Sequence, residues 1–441
     1  MTARFSFRQV LFLFLITIIG VICSVVFQEP LVIGFFPGYF VLFLLSLKNK
    51  LSIKKAVKIS LVGIHKTSIV ITILFLVSFL LPSWYLSGTI ELMVKVALNF
   101  ISPQHFFVLS FLAAMILSML LGTTVGTLSS IAVPILGTAA VLHLPLEIAA
   151  GALVSGAFVG DRTSPFSSAH QLLSHTVEVP VKHQWKAMMF TTVMAILTCV
   201  SFYGFFDWTA SNQDARNFRP IVWGEVSIVK FIPPSVLLAF VIFRIRIIYA
   251  FLASILSAAA IALINGVTFS RLADALWNGI DGLGGGFNHM YELLLFLGLA
   301  GAYNALVEEL NVIQPYLDKW LETSKSLSGD TLKILVATLV ITLIAANQTL
   351  PIILTGRSFL PHWSQKYGKS ELARVMGDTT MLFPGVVPWS VLAIMCSTII
   401  GLPLLSYLPY AIFLWSLPFL TIFVSVGKQI RKTKLNNTVS I

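Results

Sequence analysis

The stretch "SGAFVGDRTSPFSSAH" fills residues 155–170 and follows a long oily run, yet it holds an acid, an arginine, a proline and several hydroxyls. Its meaning depends on whether the chain around it is soluble or embedded in lipid. Of the 441 residues, 57% are hydrophobic and only 11% charged, against roughly 25% charged in an ordinary soluble domain. Apolar runs such as Val10 to Phe27, Leu31 to Leu47, Ser68 to Leu81 and Ile247 to Ile264 recur along the length. They approach or reach the roughly 18 to 20 residues a helix needs to cross a bilayer. The longest polar intervals, near residues 208–230 and 307–332, are loop-sized and leave no room for a soluble domain. The chain therefore reads as an all-α polytopic membrane protein, and residues 155–170 as a break at membrane depth.

The first apolar run, flanked by Arg4 and Arg8, lacks a small-residue cleavage site and reads as a retained span. Cys23, Cys199 and Cys396 lie far apart in apolar runs, which argues against a disulfide framework or a metal cluster. The formal net charge is +11, but the basic residues fall between apolar runs, where they act as topology signals. The expected partner is thus the lipid bilayer and not nucleic acid. Lys48 to Lys66, Lys182 and Lys186, Arg244 and Arg246, and the tail Lys428, Arg431, Lys432 and Lys434 are expected on the cytoplasmic side of a plasma membrane. Both termini then lie inside, with Gln28 to Pro30 and Ser83 to Pro103 at the outer surface.

Residues 155–170 also have an internal counterpart. "GDRTSP" at Gly160 to Pro165 matches "GDTTMLFP" at Gly377 to Pro384, and each follows an apolar run ending in small and hydroxyl residues, Leu120 to Leu136 and Ile344 to Gly356. If the halves are inverted, the loop with Arg357, His362, Lys366, Lys369 and Arg374 becomes cytoplasmic and the charge rule holds throughout. The breaks are expected at Gly122, Gly126, Pro134, Gly160 and Pro165, and at Pro351, Gly377, Pro384, Gly385 and Pro388, because such residues free backbone groups to bind cargo. This gives about a dozen membrane-crossing segments, some discontinuous, in two inverted-topology repeats. The divisions are a two-span scaffold with a basic cytoplasmic loop (1–66), a first transport repeat (67–207), connecting spans (208–288), a second repeat (289–427) and a basic tail (428–441).

An ionisable side chain at membrane depth is a functional-site candidate by default. Asp161 is the principal one. Burial favours the neutral carboxylic acid and a bound cation favours the carboxylate, so one aspartate holds a proton or a Na+ but not readily both. Ser164, Ser167 and Ser168 add neutral oxygens of the kind hard cations prefer. Asp161 as a helix cap or a partner of Arg162 is the structural alternative. Arg162 is expected to hold Asp161 ionised or set its access, His170 to relay protons, and Asp378 with Thr379 and Thr380 to form a second ion site or a cap. Glu147 and Glu292 read as interfacial. No phosphate-binding loop, nucleophile elbow or zinc-binding helix motif occurs, so an enzyme is not expected. Polar residues gather at breaks instead of forming continuous faces, which disfavours a passive channel.

Several segments together resemble the NhaC family of Na+/H+ antiporters, within the ion transporter superfamily. They are Ser83 to Phe106, "GTTVGT" (Gly122 to Thr127), "GAFVGDRTSPFSS" (Gly156 to Ser168), Gly284 to Ile313, "GDTTMLFPGVVPWS" (Gly377 to Ser390) and Gly401 to Ala411. The resemblance implies exchange of cytoplasmic Na+ for external H+ by alternating access, with no cofactor beyond those ions. It carries over Asp161, Arg162, Ser164, Pro165 and Ser167, with Gln348 and the glycine and threonine positions Gly122, Thr123, Gly126 and Thr127. Together with Thr124 and Asn347 these are expected to line the path. The chain departs from the family pattern at Ser168, where aspartate is usual, at Ala169 and His170 in place of threonines, at Asn347 in place of aspartate, and at Val125 in place of tryptophan. Losing two acids leaves a small organic acid or amino acid, carried with Na+ or H+, as the alternative cargo. A homodimer is compatible with this reading.

Overall fold

The computed structural model of the chain describes residues 5–27, 29–100, 103–210, 227–243, 245–280, 285–312 and 326–439. Arg244 lies outside them. The first two helices, α1 (Phe7–Phe27) and α2 (Leu31–Lys48), pack so closely at Gly20 and Gly34 that a side chain on either would meet the other's backbone. Small residues allow this approach, and close packing rather than hydrophobicity joins helices in lipid. α3 (Ile53–Leu86) begins at Ser52, whose hydroxyl accepts the Lys55 N–H at 3.3 Å. Lys54, Lys55, Lys58 and Lys66, expected in a loop, therefore lie on a helix, and the division after residue 66 falls inside α3.

An amphipathic helix, α4 (Thr89–Phe100), leads to α5 (Phe106–Leu121), α6 (Thr124–Val141), α7 (Leu146–Thr163), α8 (Ser168–Val177) and α9 (Val181–Ala210). The connecting segment holds α10 (Ile232–Ile242), α11 (Ile247–Ile264) and α12 (Phe269–Asn278). Then come α13 (Tyr291–Glu309), α14 (Leu327–Ala345), α15 (Thr349–Lys366), α16 (Lys369–Asp378), α17 (Val391–Ile400), the short α18 (Leu404–Tyr407) and α19 (Ile412–Val439). Among the described residues, eight helices are long and apolar enough to cross a membrane: α1, α2, α3, α6, α9, α11, α14 and α19. The bent run from α17 to Tyr410, turning through 83°, would be a ninth. This is an all-α polytopic membrane protein. The expected count of about a dozen is not reached by length and apolarity, because the helices flanking the breaks are short or carry polar ends.

At the centre stands α7, buried continuously from Ile148 to Thr163. Its Gly156 and Gly160 lie against the backbone of α5 at Phe111 and Ser118, and Gly151 against Tyr410. A helix surrounded by protein need not be oily, which is why the polar end of α7 survives at this depth. α1 and α2 dock on this core through α13: Phe35 packs edge-on to Phe296 and Tyr303, with ring centroids 5.3 and 5.1 Å apart. The close approach of α3 to α13 occurs at Gly63 and Gly301.

The breaks share a design. α5 ends at Gly122 in the left-handed conformation (φ 70°), Thr123 is extended, and α6 starts at once. α14 ends at Ala346, also left-handed (φ 52°), and α15 starts after Gln348. Between α7 and α8 the chain is open at Ser164 to Ser167, and between α16 and α17 it is irregular around Phe383–Gly385. Each helix-pair tip meets the following break. A Cβ on Gly122 would sit 2.6 Å from the Phe166 carbonyl carbon and 2.7 Å from the Ser167 nitrogen, so only glycine fits there. The Ala346 carbonyl accepts the Val391 N–H at 2.8 Å, and the Trp389 indole donates to the Leu343 carbonyl at 2.8 Å. Across the two sets, α6 packs on α17 and α15 on α8. Five of the expected break positions lie within helices instead: Gly126 and Pro134 in α6, Gly160 in the last turn of α7, Gly377 at the end of α16, and Pro351 in the first turn of α15, where its missing N–H removes no intrahelical bond.

Candidate functional site

Asp161 lies in the last turn of α7 and is 8% exposed. Its Oδ2 accepts the Gln348 side-chain amide at 3.1 Å, and the same amide donates to the Met381 carbonyl at 3.1 Å. Gln348 thus straddles the α7 end and the break after α16. The backbone N–H of Thr124, the first residue of α6, adds a further contact to the carboxylate. The carboxylate consequently faces the starts of two helices, α6 and α15, where unpaired N–H groups and the positive dipole end favour negative charge. No basic side chain bonds to it among the described residues. The Thr124 hydroxyl is buried without a hydrogen-bond partner, which leaves a hard oxygen beside the carboxylate's own neighbour. A carboxylate with neutral partners and a spare oxygen suits a small cation.

Arg162 points elsewhere. Successive residues of a helix are about 100° apart around its axis and do not face each other. Its guanidinium bonds to the Asp378 carboxylate, to the Gly377 carbonyl at 2.9 Å and to the Thr192 and Thr191 hydroxyls at 2.6 and 3.3 Å. The other oxygen of Asp378 lies 3.5 Å from Arg374. Arg374 in turn bonds to Glu371 at 2.6 Å, to Thr421 at 2.5 Å and to Ser425 at 2.8 Å, and Glu371 meets Lys428 at 2.6 Å. Arg162, Asp378 and Arg374 are all but fully buried. The expectation that Arg162 holds Asp161 ionised is replaced by a pairing of Arg162 with Asp378 at the end of α16, and Asp378 stands between two arginines. Removing one partner of such a buried pair costs about 3–5 kcal/mol, because the other charge is left stranded.

The remaining candidates divide between local structural use and the path. The Ser164 hydroxyl donates to the Met119 carbonyl at 2.8 Å, and Ser167 caps α8 by accepting the His170 N–H at 3.2 Å. Ser168, the first residue of α8, is exposed, while His170 is buried with its Nδ1 3.1 Å from the Ser164 carbonyl. Thr123 caps α6, and the Thr127 hydroxyl donates to the Thr123 carbonyl at 2.8 Å. Thr379 donates to the Val375 carbonyl at 2.7 Å. Asn347 accepts the Leu350 N–H at 2.9 Å and donates to the Ala345 carbonyl at 3.2 Å, holding the start of α15.

A cavity of about 530 Å³ opens between α3, α13, the start of α15 and α17. Its walls include Thr67, Asn304, Asn347, Gln348 and Met395. Lys66 and Glu308 also line it, 3.7 Å apart and both exposed. Asn304 donates to the Ala345 carbonyl at 2.6 Å, the carbonyl that Asn347 also reaches. Sequence reasoning passed over Asn304. Its one signal in the sequence is that it is a lone amide in "LGLAGAYNALV", residues 297–307, an otherwise largely apolar stretch.

A family model described as the Na+/H+ antiporter family matches residues 209–427. The "Na(+)/H(+) antiporter NhaC" of Bacillus subtilis (strain 168) is 26% identical over 382 residues, 81% of this chain and 84% of that protein. The "Malate-2H(+)/Na(+)-lactate antiporter" of the same organism is 26% identical over 447 residues, covering 94% of this chain and 93% of the relative. The "Arginine/ornithine antiporter ArcD" of Halobacterium salinarum is 24% identical over 364 residues, 77% of this chain and 75% of its own.

Proposed function

The chain belongs to the Na+/H+ antiporter family, and from that premise we propose that it is a secondary active transporter exchanging Na+ for H+ across the plasma membrane, with Asp161 as the group both cations share. The observation that carries the proposal is the setting of Asp161: a buried carboxylate bonded, among the described residues, only to neutral donors, at the junction of two helix starts and a helix break. A bound Na+ or a bound proton each neutralises it, and the two compete for one site. In this reading Gly122, Thr123, Thr124 and Thr127 shape one side of the path, and Asn347 and Gln348 the other. Asp378, held by Arg162 and Arg374, ties the halves together without handling cargo.

The paired breaks support an inverted arrangement. In the first repeat α5 and α6 enter from outside and α7/α8 is the broken span; in the second α14 and α15 enter from the cytoplasm and α16/α17 is the broken span. Half-helices meeting near the midplane are the usual machinery of alternating access. Both termini lie in the cytoplasm in this arrangement, with the basic end of α19 there.

A second reading has one observation in its favour. Two helix starts aimed at one place attract an organic carboxylate as readily as they stabilise Asp161, and the relatives include carriers named for malate, lactate, arginine and ornithine. The test is proton flux in proteoliposomes holding a pH-sensitive dye, pulsed with Na+ and then with organic acids and amino acids. Na+ collapses an imposed pH gradient with wild-type protein and does not with Asp161→Asn. If folded wild-type protein ignores Na+ and responds to an organic pulse, the second reading replaces the first.

A further inference from the structure

We propose that the cavity between α3, α13, the start of α15 and α17 is the cytoplasmic vestibule through which Na+ reaches Asp161, with Asn304 on its wall and Lys66 and Glu308 at its mouth; this rests on the antiport reading. The cavity's lining includes Gln348, the side chain whose amide holds Asp161 at 3.1 Å, and this contact makes Gln348 the floor of the proposed route. The mouth is charged and exposed, while the interior is lined by amides, threonines and apolar groups. A volume of about 530 Å³ is far more than one bare ion needs, and at roughly 30 Å³ per water it holds a cation with its hydration shell. Na+ therefore keeps its water in the vestibule and sheds it only beside Gln348. The placement also fits the membrane. Lys66 precedes the apolar part of α3, where the positive charge marks the cytoplasmic boundary.

Asn304 has two features of a positioning residue. It lines the vestibule, and its amide donates at 2.6 Å to the Ala345 carbonyl, in the last residue of α14 before the turn that presents Gln348. A side chain there controls both the width of the route and the pose of its floor. Glu308, at the mouth, supplies the charge that draws a cation in against the nearby lysine.

The test is side-specific thiol labelling in proteoliposomes of known orientation, in a background carrying Cys23→Ser, Cys199→Ala and Cys396→Ala that is first shown to exchange Na+ for H+. Asn304→Cys and Thr67→Cys are expected to react with a membrane-impermeant cationic thiol reagent from the cytoplasmic side only, and labelling is expected to stop Na+-driven proton flux. Glu178→Cys, at an exposed position outside the cavity lining, is expected to label from the cytoplasmic side with flux unchanged. Should the cysteine-free background lose activity, Asn304→Leu and Glu308→Gln in the native chain replace it. The first is expected to cut maximal flux, and the second to raise the Na+ concentration for half-maximal rate while sparing the maximum. Labelling from the outer face, or labelling at 304 and 67 without loss of flux, overturns the vestibule and leaves antiport standing. Absence of Na+-driven flux in the unmodified protein overturns the antiport reading itself.

Discussion

Asp161 and Asp378 occupy matching positions at the ends of α7 and α16, each after a glycine, each buried. Asp161 meets an amide and a backbone N–H, whereas Asp378 is flanked by Arg162 and Arg374. The contrast teaches that the same Gly-Asp pair can be set in opposite electrostatic surroundings, neutral dipoles at one and fixed cations at the other. A carboxylate whose charge is already answered by fixed cations has little to offer a mobile one. A carboxylate answered only by dipoles keeps a place for it.

The comparison can be broken in order of expected effect. Asp161→Asn keeps the shape and the Gln348 contact, so the protein folds while Na+-driven proton flux falls to the level of empty liposomes. If flux persists, Asp161 is not the shared site. Asp378→Asn should act through stability first: it strands Arg162, while Arg374 keeps Glu371, at a cost of about 3–5 kcal/mol, read as a fall in melting temperature in detergent. The paired replacement Arg162→Met with Asp378→Leu should recover much of that loss, which a role for Asp378 in binding cargo would not predict for flux. Gln348→Ala removes one hydrogen bond to Asp161 and one to Met381. At roughly 1–2 kcal/mol, the expectation is a shift of about fivefold to thirtyfold in the Na+ concentration giving half-maximal rate. Lys369→Ala breaks an exposed pair with Glu178 and should change stability by no more than ~0.5 kcal/mol, with transport unaltered.

Much of this molecule was legible in its sequence because lipid imposes simple rules. Apolar runs gave the class, and the glycines and prolines near Asp161 and Asp378 located most of the breaks. What the sequence hid was direction. Arg162 adjoins Asp161 in the chain, but helical geometry turns it toward α16, and no local pattern reveals that Asp378 waits there. Ser167 and Ser168 looked alike beside the acid. One caps α8 and the other faces outward, a distinction set by where the helix begins. Asn304 was missed because it stands alone, far from any motif, and gains its meaning only from the α14 end it touches.

The most direct measurement is the proton release that follows Na+ addition to purified protein in weakly buffered detergent solution, comparing wild type, Asp161→Asn and Asp378→Asn. The account predicts protons released by wild type and by any folded Asp378→Asn, and none by Asp161→Asn. Release from Asp161→Asn equal to wild type, with Asp378→Asn silent, would assign the exchange to the wrong carboxylate and contradict it.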